Sequence, residues 1–325
     1  MDILREHEDN ISFPCAMLIK HGQKDYVGLV LAVTDNLYFR NSTAPEGRIA
    51  VADFFEDYSS VVGDKLKWFL KDEALPVPLA KTQSVRGWLQ GIEPDDSAIF
   101  VCTGGERGQD ASPYQFYSWM KRAWQAARGR DLDVILIFIE EYPTSFQALF
   151  LSFARRLKAE HGHGGHGFVL STTEAHDNQP TEASLAKNLR GFDVGKPGLV
   201  AGRVMKGIKT VSWLTAVNNQ ILEKLDARGG LAELRAELPI DWFATYDYGA
   251  GKIIQAGPKP EAASIEVDPL PATYVLPNML LKPFRSEDIA AFHGETWNGE
   301  LFLGVGSTRE GLNNTPQISD TPHLR

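Results

Sequence analysis

Cysteine and long apolar runs are both scarce in this sequence of 325 residues. Only Cys15 and Cys102 are present, too few for a disulfide framework and too far apart for a CxxC motif, which favours a reducing compartment. The longest apolar run, 134–139, has six residues, whereas a membrane helix needs about 20. The charged N-terminal segment also has no apolar core of the signal-peptide kind. These absences predict a soluble protein in the cytoplasm that does not enter a membrane.

Positive charge is in deficit as well. The 33 lysines and arginines against 42 acidic residues give a net charge of −9, which disfavours direct binding to nucleic acid or to anionic lipid. The imbalance is concentrated near the start, since residues 1–100 hold 16 acidic and 10 basic residues while residues 101–200 hold 11 of each. A basic protein partner is therefore the expectation.

The hydrophobic pattern indicates an α+β fold of mixed or antiparallel sheets with packed helices. Apolar spacing predicts helices between Pro45 and Gly63 and over 145–160. The run 132–140 is continuous enough for a strand buried on both faces. A hairpin is predicted over 242–256, with its turn at 248–252. Helices and strands alternate without the regular spacing of a wound parallel sheet, which favours α+β over α/β.

Other segments have less regular patterns. Residues 26–40 predict a strand or a hairpin with a bulge or turn at Asp35-Asn36. Residues 213–225 predict a helix and 274–283 a strand, whereas the aromatic stretch 114–124 leaves its type open.

A similar order of predicted elements in the two halves of the chain suggests two similar lobes. A strand, a helix and a strand in the first half are followed by the same order after residue 131. The predicted lobes are 1–128 and 129–325, and one continuous domain is the alternative.

Histidines form the most conspicuous cluster of potential metal ligands. His161, His163 and His166, with Asp177 further on, have spacings that can close on a zinc ion. That interpretation gives the alternative function, a metal-dependent hydrolase. However, four glycines separate these histidines on a predicted helix-to-strand connection, so we favour a solvated loop and expect no metal or other cofactor.

Motifs for nucleophilic or phosphate chemistry are weak. Ser307 lacks the GxSxG context of a nucleophile elbow, and Cys102 ends a predicted buried strand, where thiols are usually inert. The glycine-rich segment 104–108 follows a strand but matches no phosphate-binding loop and contains Glu106. No catalytic residue is therefore predicted.

Paired carboxylates occur at three places near strand ends. Such pairs can bind a divalent cation or act in acid–base chemistry, but without a partner that shifts a pKa they usually face water. The pairs are Glu140-Glu141, Asp95-Asp96 and Asp131 with Asp133.

Several short segments carry a resemblance to a known family. They are 36–40 (NLYFR), 62–69 (VGDKLKWF), 163–168 (HGGHGF), 192–194 (FDV), 207–215 (GIKTVSWLT) and 254–260 (IQAGPKP). In their order and residue types, these segments, spread over residues 27–285, resemble bacterial type VI secretion immunity proteins of the TsiV/TsiT kind. The resemblance implies a cytoplasmic protein that binds a cognate effector toxin, in several members a nuclease. Immunity by occlusion needs no reactive residue, in agreement with the motif search.

The acidic first third suggests where such a toxin would bind. Asp53, Glu56 and Asp57 lie on the polar face of the first predicted helix, and Asp95 and Asp96 lie in a loop. We predict that these five carboxylates contact a basic nuclease surface; the competing interpretation is that they only solubilise the helix. A homodimer is a further possibility that the sequence leaves open, and a structural component of the secretion machine is a third class.

Overall fold

The protein is described by a computed structural model that covers most of residues 16–286. The described residues are 16–21, 24–40, 43–72, 74–82, 84–96, 98–128, 132–140, 144–173, 175, 178–179, 182, 185–186, 189–195, 200–201, 204, 207–226, 230–231, 243–264 and 272–286.

Strands and helices alternate irregularly along the described chain, as the α+β prediction requires. The strands are β1 (Ala16–His21), β2 (Lys24–Phe39), β3 (Trp68–Lys71), β4 (Val77–Pro78), β5 (Ala98–Thr103), β6 (Gln115–Met120), β7 (Asp133–Ile139), β8 (His161–Leu170), β9 (Leu189–Arg190), β10 (Phe192–Asp193), β11 (Leu214–Asn218), β12 (Phe243–Asp247), β13 (Gly251–Ala256) and β14 (Ala263–Ser264). The helices are α1 (Pro45–Val62), α2 (Val85–Gln90), α3 (Ala123–Arg128), α4 (Thr144–Leu157), α5 (Asn219–Asp226) and α6 (Ala272–Leu281).

One open sheet organises the described residues. Its strand order is β12-β13-β11-β8-β2-β7-β6-β5-β3-β4, with β1 paired to β2 and β10 paired to β8. The neighbours along this order are antiparallel, whereas β10 runs parallel to β8. The α+β prediction is confirmed. The sheet contains strands from both sides of residue 128, and the division into two lobes remains a prediction.

The core lies on both faces of the sheet. Ile135, Ile137 and Ile139 of β7 pack in the same cluster as Phe54 of α1 and Phe150 of α4. The alternating residues Val134, Leu136 and Phe138 belong to a second cluster with Phe168 and Phe192. The prediction that this strand is buried on both faces is therefore confirmed, because its two sets of side chains enter different parts of the core.

Helix α1 begins and ends where the sequence predicts. Pro45 occupies the first turn, and Gly63 follows the helix with a φ of 61°, a conformation that glycine adopts without the cost other residues incur. The predicted apolar face is buried, including Phe54 and Tyr58. None of the described helices combines the length and apolar content that a membrane crossing requires.

The structure decides one open prediction and differs from two others. Residues 24–39 form one strand, the first of the two predicted alternatives, without a turn at Asp35-Asn36, because β7 and β8 pair with β2 through both positions. The segment predicted as a helix from residue 213 is β11 followed by α5, and Asn218 Oδ1 accepts a hydrogen bond from Ile221 N (3.0 Å) at the junction. The predicted strand 274–283 is mostly α6, since a continuous apolar run does not distinguish a buried strand from a buried helix.

The largest correction concerns the segment expected to be a glycine and histidine loop. Residues 161–170 form β8, which lies between β2 and β11 inside the sheet. The glycines are needed for close approach: a Cβ on Gly162 would lie 2.6 Å from both Asn36 O and Leu37 Cδ2. A Cβ on Gly164 would overlap the Asp35 carboxylate, and one on Gly165 would overlap Ser212 Oγ. Neighbouring atoms therefore fill the space that side chains at these positions would occupy.

We expect Gly162→Ala to destabilise the protein by roughly 1–3 kcal/mol, the usual cost of adding atoms to a packed interior. The backbone oxygen of Asn36 cannot move without disturbing the β2–β8 pairing. Gly91→Ala is the matched control, because its Cβ would lie 3.5 Å from its nearest neighbour, Gly87 O, an ordinary contact. Urea unfolding of both variants measures the difference, and equal stability of the two would contradict the packing argument.

Candidate functional site

The histidines of β8 do not converge on one point. His161 and His163 are two residues apart and lie on one face of the strand, whereas His166 lies on the other face because successive side chains alternate. Within the described part of the chain, no group of three or more His, Cys, Asp or Glu side chains is arranged to hold a metal ion. Asp177, the fourth predicted ligand, lies outside the described residues.

His163 instead belongs to a buried charged cluster centred on Asp193. Asp193 Oδ1 lies 3.1 Å from His163 Nε2 and 2.6 Å from Lys209 Nζ. Its second oxygen accepts a hydrogen bond from Asn36 Nδ2 (3.2 Å). Burial alone would raise the pKa of Asp193, but His163 and Lys209 outweigh burial and hold that pKa well below its usual range. Asp193 is therefore a buried carboxylate whose charge is compensated within the core.

Two other titratable groups close to this cluster have pKa values that burial shifts in favour of the neutral form. The His161 ring packs on Tyr38 with 4.3 Å between ring centroids, and burial, with the nearby His163, lowers the pKa of His161 to about 3. Glu182 Oε1 accepts a hydrogen bond from Gly195 N (2.7 Å), and burial raises the pKa of Glu182 to about 7. Because these side chains are enclosed, the cluster belongs to the sheet interior and does not form an open reaction site.

Asp35 is a second buried acid in the same strand pair. Neither of its carboxylate oxygens has a hydrogen-bond partner, and burial raises its pKa well above the usual value. A protonated carboxyl at this position avoids the large cost of an isolated buried charge.

These pKa shifts predict how stability changes with pH. His161, and His166 with a pKa lowered by burial to about 4, bind fewer protons when folded than the ordinary histidine value of 6.5 implies. Their contribution to stability is therefore lost as pH falls from about 6.5 towards 4. Glu182 acts in the opposite direction, since its raised pKa makes its contribution decline as pH rises from 4.5 to about 7.

Urea unfolding between about pH 4.5 and 7 separates the two effects, because their linkage slopes have opposite signs. His161→Gln should make stability increase less with pH, and Glu182→Gln should make it increase more. The same pH slope in the wild type and both variants would contradict these pKa shifts.

Cys102, Glu140 and Asp133, three of the nucleophile and carboxylate candidates, have structural partners or are enclosed. Cys102 is buried in β5, and burial raises the pKa of its thiol. Glu140 accepts a hydrogen bond from the Tyr114 hydroxyl. Asp133 is buried, lies 3.2 Å from Lys121 Nζ and accepts a hydrogen bond from Lys121 N (2.8 Å). Ser307, Glu141 and Asp131 lie outside the described residues.

The predicted acidic face of α1 is present but largely ion-paired. Arg86 of α2 donates to Asp53 Oδ1 (2.6 Å) and to both oxygens of Glu56 (2.7 and 2.5 Å). Arg156 of α4 donates to Asp57 Oδ2 (3.0 Å). The three carboxylates therefore lie on a surface shared by α2, α1 and α4, where two arginines offset most of their charge.

Asp95 and Asp96 lie elsewhere, on an exposed turn. Asp96 N donates to Glu93 O (3.0 Å), and Ala123 N at the start of α3 donates to Pro94 O (2.9 Å). Arg48 of α1 donates to the carbonyl oxygens of Ile92 and Glu93, the latter at 3.2 Å. The predicted carboxylates thus form two groups, one on α1 and one on this turn. The buried Arg48 links the two places, because it belongs to α1 and hydrogen-bonds to the turn.

Sequence reasoning missed three residues on these surfaces. Arg86 and Arg156 neutralise carboxylates that are 30 to 99 positions away, so no local pattern indicates the pairs. Trp124 of α3 is exposed, with the Arg128 guanidinium 4.9 Å from its ring centroid. The sequence does not indicate this exposure either, because the pattern of residues 114–124 does not settle which secondary structure they form.

Together, the fold and the surface define an α+β protein with a closed polar interior and carboxylate-bearing helices and turns outside. The chain belongs to the TsiV family, described as type VI immunity for VRR-NUC, whose model matches residues 50–312. Among solved structures it is similar to the Pseudomonas aeruginosa T6SS protein PA0821, with 33% sequence identity and a TM-score of 0.87 over 99% of this chain and 93% of that chain. A comparison with curated proteins gave no match. The resemblance noted in the sequence is confirmed at the level of the family.

Proposed function

We propose that this protein binds a VRR-NUC effector and neutralises it by stoichiometric occlusion, without catalysing a reaction. The observation that carries the proposal is the match of residues 50–312 to a family of type VI immunity proteins for VRR-NUC. Its fold similarity to a T6SS protein supports the same setting. The enclosed position of His161, His163 and Asp193 agrees with a binding role, because occlusion requires a surface and no reactive group.

We propose that the protein covers a basic surface of the effector. A nuclease must offset the charge of DNA phosphates with cations, and a negatively charged inhibitor gains association rate at such a surface. The net charge of −9 and the carboxylates Asp53, Glu56, Asp57, Asp95 and Asp96 supply the complementary sign. Because the DNA of the producing cell lies in the cytoplasm, the proposed encounter takes place there.

Binding and protection are tested by co-expressing the chain with each VRR-NUC effector of the same strain. We expect one effector to co-purify with it, to lose its DNase activity in proportion to the amount added, and to stop killing the host cell. Light scattering after size-exclusion chromatography gives the stoichiometry and shows whether the free chain is a dimer. A chain that neither binds nor protects against any of these effectors would overturn the proposal.

The contribution of α1 is tested by the double variant Glu56→Lys/Asp57→Lys. Reversing both charges should lower the association rate by about tenfold at low salt and flatten its dependence on ionic strength. Glu106→Lys/Glu223→Lys is the matched control, because both residues are exposed and the change in net charge is equal. Unchanged affinity and unchanged salt dependence of the α1 variant would leave these carboxylates with a solubilising role only.

Arg86→Gln/Arg156→Gln provides the opposite perturbation. These substitutions remove the cations that pair with Asp53, Glu56 and Asp57 and leave the carboxylates in place. If α1 faces a basic effector surface, association should become faster and more sensitive to salt. Stopped-flow measurements on both double variants decide the point, because a real contribution from α1 moves the two rates in opposite directions.

A further inference from the structure

Trp124 is an exposed aromatic residue of α3, a helix whose first residue is hydrogen-bonded to an acidic turn. Its side chain is 44% exposed, whereas Trp213 is fully buried. A single exposed apolar residue needs no special explanation in a soluble protein. Trp124 differs because one side of its ring is supported by Arg128 and because the turn bearing Glu93, Asp95 and Asp96 is hydrogen-bonded to the preceding residue, Ala123.

The turn beside Trp124 is held from two directions. Arg48 reaches it from α1 through the carbonyl oxygens of Ile92 and Glu93, and α3 is joined to it by the hydrogen bond from Ala123 N to Pro94 O (2.9 Å). The acidic turn and the start of α3, which carries Trp124, are therefore fixed relative to each other before any partner arrives. Such preorganisation lowers the entropy lost on association.

The charges on this turn differ from those on α1. Glu93, Asp95 and Asp96 are exposed, and none of them forms an ion pair with another residue that the structure describes. Arg122 and Arg128 lie on the same stretch of chain but are not paired with these carboxylates. A cation of a partner could pair with the turn directly, whereas at α1 it would have to displace Arg86 or Arg156.

From this arrangement we infer that Trp124 and the turn 93–96 form the central contact with the effector, with Trp124 as its apolar anchor and the three carboxylates as its charged rim. The occupant is the cationic DNA-binding face of the VRR-NUC effector, so the inference rests on the proposed function. Protein interfaces commonly place a tryptophan at their centre and polar groups around it. Here an exposed tryptophan and three exposed carboxylates are carried by a helix and a turn that are hydrogen-bonded to each other.

Trp124→Ala tests the anchor in the full-length chain, with the effector that the wild-type protein binds as the probe. We expect affinity to fall by about tenfold or more, mainly through faster dissociation, as for a hot-spot aromatic. Trp124→Phe should retain part of the affinity. Met279→Ala is the matched control, since Met279 of α6 is 45% exposed and α6 packs against β13 at the other end of the sheet. Circular dichroism and thermal melting confirm that each variant is folded.

Glu93→Gln/Asp95→Asn/Asp96→Asn tests the rim. Removing three charges should slow association and reduce its dependence on salt, with little change in the dissociation rate. The inference is overturned if folded Trp124→Ala binds as tightly as the wild type, or if Met279→Ala loses affinity equally. If the wild type binds an effector and Trp124→Ala binds it equally well, this surface is excluded but the proposed function stands. If the wild type binds no effector, the proposed function itself is wrong.

Discussion

The close pairing of β8 with β2 is the constraint on which the rest of the structure depends. Ten residue pairs, from Leu29 opposite Leu170 to Tyr38 opposite His161, place the two strands at the centre of the sheet. The glycines of β8 leave room for Leu37, Asp35 and Ser212, while His161 and His163 enter the polar interior. One short segment therefore accommodates the packing of β2, the neighbouring strand β11 and the charged cluster at the same time.

The polar interior is the second consequence of that pairing. Register opposite β8 places Asn36 beside His163, and both side chains meet Asp193. Lys209 completes the charge balance at 2.6 Å and also donates to Val194 O. A buried ion pair contributes little net stability but is costly to break. The cluster therefore constrains which chain segments can lie over this part of the sheet, and it leaves recognition to the outer surface.

Much of the fold could be predicted from sequence because periodicity reports burial directly. Helices α1 and α4, strand β7 and the hairpin of β12 and β13 all have patterns that match their surroundings. β8 could not be predicted in this way, since glycine and histidine are poor indicators of a strand and the need for glycine arises from residues more than 100 positions away, such as Asn36 and Leu37. On the surface, the carboxylates were visible in the sequence, but the arginines that neutralise three of them were not, because the pairing depends on how α2 and α4 pack beside α1.

The position of β2 has a consequence for how the chain acquires its structure. β2 leaves the ribosome early and can pair with β1 at once, yet the two strands that flank residues 33–38, β7 and β8, begin at residues 133 and 161. This part of β2 pairs only with strands about 100 residues later, and such non-local contacts slow folding because a large loop must close first. The centre of the sheet is thus completed only after residue 170 has been synthesised, so a truncated or nascent chain lacks the framework that positions α1 and α4.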